Sequence, residues 1–200
     1  MFSTRLLMTC AAIGVGSGIV FTVAGFINGI VAAAAPIVYG LSIGVYFLPG
    51  VIAQSLLRLP GVALITSLIA GLVGSAVNPA FIMRYLAAGL AIGLLQEVPF
   101  AISRYRYWKP WVFYVAAAVM GVIFGGGVFI GVGMEHFAGW ANIVYFGLFA
   151  VSPVLFTWLG RVIAAGINKT GVARGVQRDV DRRESRHTRH RHSVRSMTAA

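Results

Sequence analysis

Glu97 is the only acidic residue inside a long apolar run of this 200-residue chain. Centring a charge in hydrocarbon costs at least about 2.5–3.5 kcal/mol on insertion scales. The carboxylate therefore requires a cation, a proton or strong hydrogen-bond donors. Gln96 beside it supplies an amide, although adjacent helical residues point to different faces. Glu97 lies seven residues before Arg104, about 10 Å along a helix. Two uses compete at that depth: contact with a bound ligand, or pairing with Arg58, Arg104 or a nearby helix end. The expectation is a ligand contact.

Other polar side chains recur at helical spacing and mark faces turned away from lipid. Tyr39, Ser42 and Tyr46 share one face, and Ser67, Gly71, Gly74 and Asn78 another. Asn142, Tyr145, Phe149 and Ser152 form a third, and Gly89, Gly93 and Glu97 step by four along a fourth. Asn28 and Trp140 add to the outer ends. Tyr, Trp, Asn and Ser together suit a flat, polar aromatic molecule, since rings stack on rings while amides fix orientation. Packing and an interfacial aromatic belt explain part of the same pattern, and for Trp108, Trp111 and Trp158 the belt is preferred. The candidate binding residues are Glu97, Gln96, Tyr39, Tyr46, Asn78, Trp140, Asn142 and Tyr145.

The pattern excludes several chemistries. No paired carboxylates, facing metal ligands, Ser–His arrangement or phosphate-binding glycine loop is present, so neither an enzyme nor a resident cofactor is expected. Glu135 and His136 are adjacent and do not face each other as a catalytic pair would. Cys10 is the only cysteine, so it forms no intrachain disulfide and packs as a small apolar residue.

Six apolar stretches must position these groups, near residues 6–28, 33–57, 61–81, 84–103, 110–134 and 141–166. With 58% hydrophobic and 10% charged residues, the chain exceeds what a soluble core could bury. The expected fold is an all-α integral membrane protein, a six-helix bundle over residues 1–167, followed by a basic disordered cytoplasmic tail over 168–200. Arg5, Arg58, Arg104, Arg106, Lys109, Arg161 and the tail fall on one side, leaving only Arg84 as a cation opposite. Lys and Arg are retained inside, so both termini are expected in the cytoplasm. Arg5 followed by an apolar run and Ala32–Ala35 imitates a secretory signal, but the run is too long for one, and a retained first helix is expected.

The net charge of +11 comes largely from the tail, where Lys169–Arg195 holds nine Lys or Arg, three acids and three histidines. Such a segment is attracted to anionic lipid headgroups at about 1 kcal/mol per residue, and no nucleic-acid partner is expected. The three histidines are interleaved with arginines that repel metal cations. Pro36, Pro49, Pro99 and Pro153 predict helix kinks. Small residues at spacing four include Ala12 with Gly16, Gly14 with Gly18, Gly121 with Gly125, and Gly127 with Gly131. They permit close helix approach, either within the chain or, through helix 1, against another membrane subunit.

The stretch YFLPGVIAQSLLRLPGVALITSLIAGLVGSA over Tyr46–Ala76, followed by LLQEVPFAISRYRYWKPW over Leu94–Trp111, resembles the YkoE-type family. Its members are taken to be substrate-binding S-components of energy-coupling factor (ECF) vitamin importers, assigned to thiamine or its hydroxymethylpyrimidine precursor. The resemblance is best over residues 40–112 and rests on the PG near helix 2, the R-x-P-G turn and the acid before a basic R-Y-R loop. It implies a six-helix protein that captures its vitamin outside, then associates with a transmembrane coupling subunit and a pair of cytoplasmic ATPases. Ala12 and Gly16 are similar to the Ala-x-x-x-Ala docking surface of that superfamily, with Gly16 preserving the small size. Competing readings are an S-component for another vitamin, a structural or regulatory membrane protein whose polar faces only pack, and a proton-linked carrier using Glu97.

Overall fold

The computed structural model describes residues 4–34, 38–105, 108–132 and 139–170. The described residues are helical throughout the bundle: α1 (Thr4–Ala34), α2 (Tyr39–Ile43), α3 (Leu48–Leu57), α4 (Val62–Val77), α5 (Ile82–Ile102), α6 (Pro110–Val132) and α7 (Gly139–Lys169). Short 3-10 turns at Gly44–Phe47 and Pro79–Phe81 join α2 to α3 and α4 to α5. Five helical segments are long and apolar enough to cross a membrane: Thr4–Val31, Tyr39–Leu57, Pro79–Ile102, Pro110–Ile130 and Gly139–Lys169. The remaining expected stretch, 61–81, is α4, with 16 residues, about 24 Å long at the helical rise. Proline-bearing turns shorten it at both ends. At the first, Gly61 adopts the left-handed φ of 80° that opens the helix. At the second, Asn78 closes it before Pro79. Met8, Ile30, Met83, Ile102 and Ile143 are among many large apolar side chains left exposed. Their distribution along long helices fits a multi-pass membrane protein.

The second expected stretch is not one continuous α-helix. Pro49 enters at the first turn of α3, directly after the 3-10 turn, where its missing N–H and fixed φ are tolerated. Ser152 on α7 repairs the break, accepting from the Gly44 N–H at 3.0 Å and donating to the Leu41 carbonyl. One hydroxyl thus satisfies two main-chain groups at the break. Pro99 and Pro153 are accommodated inside α5 and α7, while Pro36 lies outside the described residues.

Small residues set the tightest helix contacts. A Cβ on Gly71 would lie 2.7 Å from the Tyr85 carbonyl oxygen, and one on Gly89 2.6 Å from that of Ser67. These glycines bring α4 and α5 nearly backbone to backbone. Gly14 and Gly18 seat Ile69 and Val73 of α4, and Gly121 and Gly125 seat Phe149 of α7. The paired small-residue motifs of α1 therefore divide by face. Gly14 and Gly18 are buried within the chain, whereas Ala12 and Gly16 are exposed, with nothing within 4 Å of a Cβ built on Gly16.

Two apolar clusters fill the interior. One gathers Phe21, Tyr46, Phe47, Ile92, Tyr145 and Phe149 toward the end of the bundle that holds the α4–α5 turn. The other gathers Leu6, Cys10, Leu56, Leu57 and Val62 at the opposite end, with Cys10 fully buried. Residues 171–200, most of the expected basic tail, lie outside the described residues, as do Glu135 and His136.

Candidate functional site

A cavity of about 730 Å³ opens between α1, α2, α5 and α6 at the end of the bundle that carries the α4–α5 turn. That volume falls within the range of small-molecule sites. Ile43 and Ile92 form part of its apolar lining, Ala87, Ala88 and Ala91 keep the α5 wall thin, and Phe124 and Val128 come from α6. Gly25 and Gly29 provide the α1 wall. Gly25 makes room for Tyr85, whose hydroxyl would lie 2.4 Å from a Cβ built there. Tyr85 in turn packs on Gly74 of α4 and faces Phe21 at 6.1 Å.

Tyr46 is the best-held polar group on this wall. Its ring meets Phe21 edge-on at 4.3 Å, and its hydroxyl accepts from Asn28 Nδ2 at 2.9 Å. Because that oxygen accepts, its own proton remains available to a ligand. Asn28 is 1% exposed, and its Oδ1 has no partner among the described residues. Tyr39, Asn78, Phe26 and Phe81 complete the aromatic and polar lining, and Arg84 adds a guanidinium. The arrangement can sandwich a flat ring, hydrogen-bond its edge and attract negative charge. Among the described lining residues there is no acid–base or nucleophile pair.

Of the residues expected to bind, the structure brings three together here: Tyr39, Tyr46 and Asn78. Trp140, 67% exposed, and the half-buried Asn142 do not line the cavity. Tyr145 is buried in an aromatic cluster with Phe129, Phe146 and Phe149, its hydroxyl donating to the Gly125 carbonyl at 3.2 Å. It fastens α7 to α6. Gln96 is also internal, its side-chain amide donating to the Phe47 carbonyl at 2.9 Å and its main-chain carbonyl accepting from Gln54 Nε2 at 3.2 Å. A Cβ on Gly50 would strike its Oε1 at 1.7 Å, so the Pro49–Gly50 pair makes room for this amide.

Glu97 also lies off the cavity. Its Oε1 accepts from the Ala63 N–H at 2.9 Å and its Oε2 from the Tyr105 hydroxyl at 2.9 Å. Ala63 is in the first turn of α4, whose N-terminal Gly61 supplies no side-chain cap. The carboxylate therefore occupies the position of a cap, delivered from a neighbouring helix to the positive end of α4. Both partners are neutral: of the scaffold partners expected, Arg58, Arg104 or a helix end, it is a helix end that holds Glu97 here. The local backbone explains how Tyr105 arrives. Arg104 and Tyr105 adopt left-handed φ values of 49° and 57°, which turn the chain back along α5. The Tyr105 N–H donates to Phe100 and its carbonyl accepts from Trp108, which stacks on Phe100 at 4.8 Å. Desolvation, then the hydrogen bond and charge of Glu97, push the Tyr105 phenol up to about 12. It remains a donor across the physiological range.

Arg84, Tyr85, Phe26, Phe81 and Phe124 are lining residues that the sequence reading does not select. A signal for part of this set exists. Arg84, Tyr85, Ala88, Ala91 and Ile92 recur at helical spacing and form one face of α5, continued by Phe81 of the preceding turn. That face is distinct from the Gly89, Gly93 and Glu97 stripe packed on α4. Arg84 reads in the sequence only as the exception to the charge bias.

The fold has a close counterpart among solved structures. A protein described as an S-component of an ECF transporter superposes with a TM-score of 0.81, at 21% identity, over 95% of this chain and 98% of that one. No curated protein sequence matches the chain. The long apolar helices and the transport family that the chain matches mark a multi-pass protein of the cell membrane. The family described as "ABC-type cobalt transport system, permease component" matches residues 6–123, more than half of the sequence, and the chain belongs to that family.

Proposed function

We propose that the chain is the substrate-binding S-component of an ECF importer, capturing a small aromatic solute from outside the cell. The observation that carries this reading is the 730 Å³ cavity lined by Tyr39, Tyr46, Tyr85 and Phe124. It lies at the end opposite Arg58, Arg104 and Lys109. With those basic loops cytoplasmic, six spans place both termini inside and the cavity toward the exterior. A reporter fused after Ala200 is expected to behave as cytoplasmic, and an external signal would overturn that orientation.

For the solute, the family resemblance implies thiamine or its hydroxymethylpyrimidine precursor, with another vitamin the alternative. The aromatic lining suits such rings. The family description names cobalt, but a metal ion is the poorer fit. The described residues include no group of three His, Cys, Asp or Glu able to hold one, and a guanidinium on the lining repels a divalent cation. A proton-linked carrier would be favoured by an acid on the cavity, whereas Glu97 is engaged away from it.

Transport itself falls to partners, a transmembrane coupling subunit and cytoplasmic ATPases. The exposed Ala12 and Gly16 face of α1 is the docking surface supported by its small, unpartnered side chains. The reading is tested by purified protein binding hydroxymethylpyrimidine or thiamine without ATP, at micromolar or tighter affinity, about −8 kcal/mol or better. Gly16→Leu is expected to keep that affinity while losing co-purification with the coupling subunit. Absence of binding by folded protein would overturn substrate capture, and full co-purification of Gly16→Leu would overturn the docking face.

A further inference from the structure

Asn28 carries the one amide side chain of α1, and the fold buries it while pairing only half of it. Its Nδ2 donates to the Tyr46 hydroxyl at 2.9 Å, and its Oδ1 has no partner among the described residues. Turning the amide over would leave both Nδ2 hydrogens unpaired instead of one acceptor. Buried N–H groups tolerate that less well than an oxygen does, so the amide is the donor here. An unpaired buried oxygen still weakens a fold, and an apolar side chain of similar size would avoid it. Packing therefore does not explain Asn28. Its partner does, because Tyr46 lines the cavity.

Tyr46 is held from three directions. It rides on the 3-10 turn Gly44–Phe47, which Ser152 ties to α7 through the Gly44 N–H. Phe21 packs edge-on against its ring at 4.3 Å. These contacts fix the ring, and Asn28 fixes the hydroxyl. With its oxygen accepting, the hydroxyl keeps one proton that no described residue takes. A donor bonded to the oxygen also polarises the O–H and strengthens what it can give. Tyr39 and Tyr85 line the same cavity, but no described residue bonds to either hydroxyl, so each is free to donate or accept.

Resting on the importer reading above, we propose that Asn28 is a positioning residue that fixes Tyr46 as a hydrogen-bond donor to the solute. The cavity thereby selects planar rings whose edge carries an unprotonated nitrogen or a carbonyl oxygen. A ring of the same shape without such an acceptor strands the Tyr46 proton and is rejected.

The test compares hydroxymethylpyrimidine with its benzene analogue, both ring nitrogens replaced by C–H, on full-length purified protein. Measurement above neutral pH keeps both rings uncharged. The pyrimidine should bind about 5–150-fold more tightly, the range for a buried hydroxyl left unpaired. Tyr46→Phe should abolish or reverse that preference. Asn28→Asp should do the same with Tyr46 retained, since a carboxylate takes the Tyr46 proton for itself. Asn28→Leu should fold normally, because the hydroxyl that it releases reaches the cavity, and should reduce the preference several-fold. In a Tyr46→Phe background, Asn28→Leu should change the preference by no more than about twofold, because Asn28 acts only through Tyr46. A purely structural Asn28 would instead weaken both rings alike. A preference unchanged in Asn28→Leu, or an Asn28→Leu effect that persists in Tyr46→Phe protein, overturns the positioning role and leaves solute capture standing. Equal binding of the two rings by the unaltered protein overturns the donor contact as well. Failure of both rings and of thiamine, in folded protein, overturns the importer reading too.

Discussion

Gly29→Trp should reduce solute binding by at least about 100-fold, a loss of about 2.7 kcal/mol or more, with stability unchanged within about 0.5 kcal/mol. Gly29 lines the cavity, and a Cβ built on it meets nothing within 4 Å. A side chain there therefore enters open space rather than the packed interior. Replacing a mid-helix glycine also removes its excess backbone entropy, so the helix has no intrinsic reason to weaken. Gly25 would give a less readable result, because any Cβ at that position collides with Tyr85 and disturbs the wall together with the site. Ala88→Trp tests the same volume from α5 and guards against an indole at 29 that turns toward lipid. Full affinity in both proteins would show that this cavity is not where the solute binds.

The outcome also bears on what a sequence exposes and what it conceals. The helices are legible because hydrocarbon forbids unpaired backbone groups. The faces of Tyr39 with Tyr46 and of Gly89 with Gly93 are legible because polar and small side chains must turn from lipid. The distinction between a binding face and a packing face is not. Tyr46 and Tyr145 look alike in sequence, both being tyrosines on polar helical stripes. Tyr46 lines the cavity, where Gly29 of α1 leaves open space. Tyr145 is closed over by Phe129 and Phe149. The difference depends on which residues a neighbouring helix places across the gap, and no periodicity within one helix contains that information. Arg84 illustrates the converse. Charge counting registers it as an anomaly of topology, and only the folded structure places it on the cavity.

Glu97→Gln should lower the thermal stability of the bundle by about 1.5–3 kcal/mol, the range for hydrogen bonds to a charged group, and leave solute affinity unchanged. The amide keeps an acceptor for the Ala63 N–H, so the loss is the charge that strengthens both hydrogen bonds and complements the N-terminus of α4. Glu97→Leu should be worse, because it orphans the Ala63 amide in a place that water does not reach. Tyr105→Phe should be milder, removing one donor from a half-buried position. The graded series Leu, Gln, Tyr105→Phe separates a helix cap from a ligand contact, since only a cap tracks the number of main-chain groups left unsatisfied. Depth along α5 agrees with the cap. Arg84 on the cavity and Glu97 at the α3–α4 turn are about 20 Å apart by helical rise, too far for one small ring to touch both. Weakened binding in a Glu97→Gln protein of unchanged stability would restore the ligand role and move the site toward the inner end of the bundle.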